Sequence, residues 1–137
     1  MEHFHRSSKA HSGTLAPARL RRSFHFALSG LAQAWQSEAN LRIETSIGVV
    51  ALGLAVVLQT NVIVVLLTTL LVLSCELFNS ALEALIDMVM PEYHPLAKRA
   101  KDIAAGAVLL VSLGAVVIGV LVFVPPLWRL FTGWFAG

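Results

Sequence analysis

A stripe of acidic and amide side chains interrupts a long apolar segment of the sequence. Residues 62–90 are rich in Val, Leu and Ile, and the polar positions in their second half are Glu76, Asn79, Ser80, Glu83 and Asp87. At about 100° per residue these positions share roughly a third of a helix circumference. Ionisable side chains at membrane depth are costly and usually have both a partner and a function. The stripe therefore predicts a functional acidic face, with a hydrogen-bonded acid that serves only helix association as the alternative for Glu76.

A second set of charged residues stands just outside the apolar segments. Its members are Glu38, Glu92, His94, Lys98, Arg99, Lys101 and Asp102. Carboxylates can hold a divalent cation, and Lys and Arg can hold phosphates. If both sets meet at one membrane face, the combination suits phosphoryl transfer. A simple anion binder would not need the buried acids, and a cation channel would not need the basic loop.

None of the common soluble nucleotide or hydrolase motifs occurs. The sequence lacks GxxxxGK[ST], GxGxxG, GxSxG and HExxH. A bound nucleotide would therefore be held by a site that is not glycine-rich. Cys75 is the single cysteine, which excludes an internal disulfide. No basic patch interleaved with aromatic residues suggests nucleic acid as a partner.

Membrane helices are predicted to position these residues. The chain has 137 residues, of which 57% are hydrophobic and 13% charged, a composition typical of membrane proteins. Residues 45–75 and 103–128 contain no Asp, Glu, Lys or Arg, and Gln59-Thr60-Asn61 divides the first stretch. With about 20 residues needed per span, we expect an all-α membrane domain over residues 19–124, with spans at about 38–58, 62–89 and 103–124. Pro125-Pro126 is predicted to end the third helix.

The flanking segments have different characters. Residues 1–18 are predicted to be a disordered polar tail, and residues 125–137 a short interfacial tail. Residues 19–36 have apolar side chains at helical spacing and begin with several arginines, which predicts an amphipathic helix on the membrane surface. Ser37 is predicted to cap the next helix, and Glu38 and Arg42 could form a surface ion pair.

Basic residues are distributed asymmetrically along the chain. They precede the first span and follow the second, whereas the 59–61 loop has none. The positive-inside rule then predicts a cytoplasmic N-terminus and 90–102 loop, with the 59–61 loop and the C-terminus on the outer side. Trp128 and Trp134 fit an interfacial anchor at that outer end.

The sequence resembles the small prokaryotic diacylglycerol kinase family, which includes the undecaprenol kinases. The resemblance extends over about Arg19 to Val124. It rests on three separated motifs: Ser37-Glu38-Ala39-Asn40-Leu41-Arg42, then the segment from Glu76 to Glu83 with Asp87, then Glu92-Tyr93-His94 with Ala97-Lys98-Arg99-Ala100-Lys101-Asp102. It implies a homotrimer in the bacterial inner membrane, each protomer having three spans and an N-terminal surface helix. It also implies transfer of the ATP γ-phosphate to diacylglycerol or undecaprenol, with Mg²⁺ as cofactor.

The resemblance also implies roles for individual residues. Glu76 would be the general base and Asn79 would orient the base or the lipid, while Glu38 and Glu83 would hold Mg²⁺. ATP would contact Arg19, Phe26, Glu38, Glu83, Glu92, Tyr93, His94, Lys101 and Asp102. The lipid would contact Arg19, Trp35, Arg42, Glu44, Glu76 and Ala105.

Alternatives remain open for several of these residues. Glu83 and Asp87 could be helix-end charges paired with Lys98 or Lys101, and Asp102 could be a first-turn acid of the third helix. Tyr93 could be an interfacial anchor. The alternative for the whole chain is a non-enzymatic subunit that conducts protons or cations through the Glu76/Glu83 stripe. The segment AKDIAAGAVL, residues 100–109, looks closer to the undecaprenol kinase branch, although lipid choice depends on groove shape.

Overall fold

The computed structural model describes residues 17–135, and all regular structure within them is helical. The helices are α1 (Pro17–Ser37), α2 (Ala39–Val57), α3 (Val62–Val89) and α4 (Pro95–Phe135). The predicted all-α class is confirmed. The predicted disordered tail falls almost entirely on residues 1–16, which lie outside the described residues. Two compact units meet at Ala32–Gln33, within α1.

Three of the four helices are long and apolar enough to cross a membrane, namely α2, α3 and α4. Within the second unit α3 is central, because it packs against both α2 and α4. α2 and α3 lie within one residue of the segments predicted for the first two spans. The acidic stripe therefore lies on the helix that both α2 and α4 contact.

Local sequence explains where the helices begin and end. Glu38 has an extended backbone, with φ −95° and ψ 111°, and separates α1 from α2. Asn61 caps α3 by accepting a hydrogen bond from the Val64 N–H at 3.3 Å. Met90 ends α3 because Pro91 disfavours helical backbone at the residue before it. The prediction that Ser37 caps α2 is wrong, since Glu38 occupies the cap position.

The end of α2 has a well-defined backbone motif. Gln59 has a positive φ of 50°. Its N–H donates to the Val56 carbonyl at 3.1 Å, and the Thr60 N–H donates to the Ala55 carbonyl at 3.0 Å. This pair of bonds is the Schellman arrangement that satisfies the last carbonyls of a helix. The 58–61 loop is thus an ordered turn between two membrane helices.

Small residues bring α2 close to α3. Leu41, Gly48 and Ala55 are the buried positions of α2, and their seven-residue spacing places them on one face. A Cβ atom at Gly48 would lie only 2.3 Å from Cγ2 of Thr69. Such close backbone approach is typical of helix contacts in membranes.

The third membrane helix is longer than predicted, and the prediction that Pro125-Pro126 ends it is wrong. α4 continues through both prolines to Phe135, so residues 125–135 are helical. Pro126 has no N–H to donate to the Val122 carbonyl four residues earlier. The Thr60 hydroxyl donates to that carbonyl instead, at 3.1 Å. A tertiary hydrogen bond thus replaces the one that proline removes.

Candidate functional site

Glu76 is the only charged residue that the structure buries among those it describes, with 3% of its surface exposed. Its carboxylate is hydrogen-bonded by the side chain of Asn40, from the first turn of α2. Its backbone carbonyl accepts from the Ser80 hydroxyl at 3.0 Å. The buried acid predicted from the sequence is therefore held between two helices by a named partner.

Four carboxylates gather around this position and are called here the acidic cluster: Glu38, Glu44, Glu76 and Glu83. The charges of Glu38 and Glu83 act on Glu76, and the charge of Glu76 acts on Glu44. Glu44 also has a buried carboxylate oxygen that accepts no hydrogen bond from the described protein atoms. The two ion pairs found among the described residues involve other acids. The carboxylates of the cluster therefore repel one another, and none of them is in an ion pair of the described residues. This arrangement favours binding of a cation.

Asn79 connects to the cluster through Glu83. Its side-chain amide donates to Glu83 Oε1 at 3.0 Å, one helical turn away. Its own carbonyl oxygen, Oδ1, is buried and accepts no hydrogen bond from the described protein atoms. Asn79 therefore orients Glu83 directly, and no hydrogen bond of its side chain with Glu76 is found among the described residues.

Two lysines at this end are paired with acids outside the cluster. Lys101 of α4 contacts Asp87 of α3, with a distance of 2.5 Å between Nζ and Oδ1. Lys98 contacts Asp102 one turn later on the same helix, also at 2.5 Å. The alternative interpretation of Asp87, a helix-end charge paired with a lysine, is confirmed. For Glu83 that alternative is wrong, because its partner is Asn79.

α4 begins before the apolar segment that was predicted as the third span. The helix begins at Pro95, a residue well suited to the first helical position, and His94 Nδ1 accepts a hydrogen bond from the Leu96 N–H at 3.2 Å. Asp102 is therefore two turns inside the helix, and the alternative of a first-turn acid is wrong. The extra turns bring Lys101 back over the end of α3.

Arg42 joins the end of α1 to α2. Its guanidinium donates to the carbonyls of Trp35 at 2.8 Å and Gln36 at 3.1 Å. The expected ion pair between Glu38 and Arg42 is not among the ion pairs of the described residues. Glu38 instead accepts from the Ser37 hydroxyl at 2.9 Å. Arg42 satisfies the last carbonyls of α1, a favourable position for a cation.

The remaining predicted site residues are not brought to the cluster by any described contact. Glu92, Tyr93 and Ala105 are exposed, and Tyr93 has 81% of its surface accessible. Arg19 and Phe26 are exposed on the first unit and are described only within it.

Asn40 is a residue beside the acidic cluster that the sequence analysis did not single out. Its hydrogen bond to Glu76 makes it the only described polar partner of that carboxylate from α2. A signal was available, because Asn40 lies four residues before Glu44 and so shares its helix face. Two polar side chains on one face of an apolar helix indicate a polar partner on the neighbouring helix.

The cluster also fits the ligand preference of Mg²⁺. Among the described residues, no group of three His, Cys, Asp or Glu side chains has the geometry to hold a metal alone. Mg²⁺ commonly binds one or two carboxylates together with waters and substrate phosphates. Glu38 and Glu83, whose charges act on Glu76, are two carboxylates of the kind that such a site would need.

Comparison with known proteins identifies relatives over most of the chain. The family model of prokaryotic diacylglycerol kinase matches residues 25–123, a segment that contains the whole acidic cluster. A diacylglycerol kinase of Synechocystis is 43% identical over 112 residues, which cover 79% of this chain but 64% of that relative. The chain therefore spans less than two thirds of the length of that relative.

Two other relatives match over nearly their full length. The undecaprenol kinase of Bacillus subtilis is 33% identical over 123 residues, which cover 88% of this chain and 98% of the relative. The diacylglycerol kinase of Escherichia coli K12 is 32% identical, with the same coverage. These two relatives, which are named for different lipids, are thus similar to this chain to nearly the same degree.

Proposed function

Because the chain belongs to the prokaryotic diacylglycerol kinase family, we propose that this membrane lipid kinase transfers the γ-phosphate of ATP to the hydroxyl of a lipid alcohol at its acidic cluster. The observation that carries the proposal is the buried Glu76, held by Asn40 between like charges. The alternative of an ion-conducting subunit is not favoured, since the family and the relatives are kinases.

Glu76 is the proposed general base. It accepts the proton of the lipid hydroxyl as the hydroxyl oxygen attacks the γ-phosphorus, and the bond from that phosphorus to the bridging oxygen breaks to leave ADP. The hydrogen bond from Asn40 keeps one face of the carboxylate in place, so that its orientation is set before the lipid arrives. General bases contribute roughly 100- to 10,000-fold to rate when so positioned.

Glu38 and Glu83 are the proposed Mg²⁺ ligands. Mg²⁺, when bound with the nucleotide, would neutralise charge on the transferring phosphate. Ser37 holds the Glu38 carboxylate and Asn79 holds that of Glu83. The pre-set carboxylates therefore restrict where the phosphates of ATP can lie, which is the main contribution a kinase makes.

The nucleotide is proposed to lie over the start of α4. Lys101 and Asp102 are near this end of the bundle, and both are already held by ion pairs. His94 shapes the turn before α4. Glu92 and Tyr93 are exposed beside it and available to a ligand, and Arg19 and Phe26 of α1 are proposed as further contacts.

The lipid chain is proposed to lie in an apolar groove among α2, α3 and α4. The groove has a volume of about 330 Å³ and is lined by Glu44, Gly48, Val65, Thr69 and Gly119, among others. Glu44 is both a wall of this groove and a member of the acidic cluster. A hydrocarbon chain in the groove would thus bring its polar end towards Glu76. Trp35, Arg42 and Ala105 remain proposed lipid contacts.

We further propose a homotrimer with the acidic cluster on the cytoplasmic side. The buried apolar side chains of the described chain are Leu41, Ala55 and Val65, so one protomer covers little of its own surface. The positive-inside rule supports the orientation, and the apolar spacing along α1 supports a helix lying on the inner surface.

Phosphate transfer from radiolabelled ATP tests this function. Purified full-length protein is supplied with diacylglycerol or undecaprenol in parallel, and we expect a labelled lipid phosphate from one or both. Glu76→Gln should lower the rate at least about 100-fold, whereas Ser74→Ala, an exposed position on the same helix, should not. No transfer to either lipid would contradict the kinase assignment. Full activity of Glu76→Gln would contradict only the general base.

A further inference from the structure

The end of the bundle away from the acidic cluster holds a second polar cavity, called here the distal pocket. Its volume is about 310 Å³, and its walls include Gln59, Thr60 and Asn61 of the loop and Pro125, Pro126 and Arg129 of α4. Fifteen residues of α3 separate Asn61 from Glu76, which corresponds to about 22 Å along the helix. The distal pocket is therefore separate from the proposed kinase site.

The pocket is built by contacts that fix both of its walls. Thr60 bonds the Val122 carbonyl at 3.1 Å and so ties the loop to α4. The Schellman bonds of Gln59 and Thr60 hold the loop on α2. Asn61 is held by its bond to the Val64 N–H. The pocket is consequently formed in the free chain and does not depend on a ligand.

Charge at this end is unbalanced. Arg129 is the only Lys or Arg after Lys101, and the sequence has no Asp or Glu after Asp102 or within residues 45–75. The ion pairs of the described residues do not include Arg129. A guanidinium with amide donors beside it matches the oxygens of a phosphate group. The chemistry of the pocket therefore suits an anion.

The surroundings indicate that the anion belongs to a lipid. Trp128 and Leu127 adjoin Arg129 and are exposed, Trp128 with 64% of its surface accessible. Tryptophan at the end of a membrane helix lies at the level of the lipid headgroups. Arg129 lies beyond residues 25–123, the segment that the family model matches.

We propose that the distal pocket binds the phosphate of an anionic phospholipid headgroup, with Arg129 as the charged partner and the Gln59 side chain as an additional donor. The inference depends on the helical bundle and not on the kinase function. It adds a lipid site that holds no reacting group and lies on the opposite membrane face from the acidic cluster.

Lipid binding to the full-length protein in neutral detergent tests the proposal. Native mass spectrometry measures retention of dioctanoyl phosphatidylglycerol and of dioctanoyl phosphatidylcholine, and inorganic phosphate is added as a competitor. We expect the anionic lipid to bind at least about ten-fold more tightly, and Arg129→Gln to remove that difference, since hydrogen bonds to charged groups are worth about ten-fold or more. Arg129→Lys should keep part of the preference.

Two further variants separate the pocket from general attraction. Gln59→Gly removes the amide while suiting the positive φ at this position, and should weaken binding of phosphatidylglycerol by a smaller factor. Arg99→Gln removes an exposed cation at the other end and should leave binding unchanged. Kinase activity of Arg129→Gln should equal that of the unmodified chain, which verifies its fold.

Three results would overturn the proposal. Equal binding of both lipids would remove the headgroup preference, and an equal loss in Arg99→Gln and Arg129→Gln would show only general attraction. Displacement of the lipid by inorganic phosphate at the lipid's own concentration would show a site for a free anion.

Discussion

Gly48 of α2 lies directly against Thr69 of α3, at a distance that leaves no room for a side chain. A Cβ atom at position 48 would be 2.3 Å from Cγ2 of Thr69 and 3.3 Å from its Oγ1. Because α2 carries Asn40 and Glu44 and begins directly after Glu38, this contact affects how closely those residues approach Glu76. Helix packing and the acidic cluster are therefore coupled through one glycine.

Gly48→Ala should lower stability and activity together. The added methyl overpacks the contact, which typically costs about 1–3 kcal/mol, and moves α2 away from Glu76. Gly53→Ala is the matched control, because a Cβ atom there meets nothing within 4 Å. Thermal unfolding in detergent, with the kinase rate measured in parallel, checks both variants. Equal stability of the two would contradict the close contact.

Asn40→Ala should lower kcat while leaving KM for ATP almost unchanged. The substitution removes the hydrogen bond that orients the Glu76 carboxylate, and we expect a loss of about ten-fold, as for a bond to a charged group. Ser46→Ala on the same helix serves as the control. The Ser46 hydroxyl donates a hydrogen bond to the Arg42 carbonyl of its own helix, at 2.8 Å. An effect of Asn40→Ala on KM alone would indicate a role in nucleotide binding instead.

Lys101→Met should raise KM for ATP, because its ammonium is proposed to contact the phosphates. Loss of the ion pair with Asp87 should cost less than about 1 kcal/mol, since both side chains are partly exposed. Lys98→Met is the comparison, as its partner Asp102 lies on the same helix and no phosphate contact is proposed for it. Steady-state kinetics over a range of ATP concentrations checks the pair. Identical KM values in both variants would argue against Lys101 as a phosphate ligand.

Thr60→Val should destabilise the unmodified chain by about 1 kcal/mol, the usual contribution of one hydrogen bond. The same change should have little effect in a Pro126→Ala background, where the restored N–H can bond the Val122 carbonyl. A double-mutant cycle of unfolding free energies measures this coupling. Additive effects of the two substitutions would show that Thr60 does not compensate for the proline.

Periodicity and composition predicted much of this molecule, because they follow from local rules. The acidic stripe of α3, the loop at residues 59–61 and the break at Pro91 each depend on neighbouring residues alone. A burial requirement every three or four residues suffices to place Glu76 away from lipid. For these features the sequence contains the determining interaction.

The features that were not predicted depend on distant partners. Local helix rules alone indicate a break at Pro126, but Thr60, 66 residues earlier in the chain, bonds the carbonyl that this proline leaves without a partner. The partner of Glu76 is likewise on another helix. Of the two pairings left open for Asp87, the structure contains the one with Lys101. Tertiary contacts of this kind decide between possibilities that local preferences leave equal.

Because α4 is a single uninterrupted helix, its tilt should depend on the thickness of the bilayer. Its charge-free stretch, residues 103–128, corresponds to about 39 Å at 1.5 Å per residue, longer than the hydrocarbon thickness of about 30 Å. A helix longer than the bilayer adapts by tilting. Lys101 and Arg129 are both in α4, so a change in the tilt of this helix moves both residues relative to the membrane surfaces. Hydrophobic mismatch thereby connects the two faces of the membrane without any ligand.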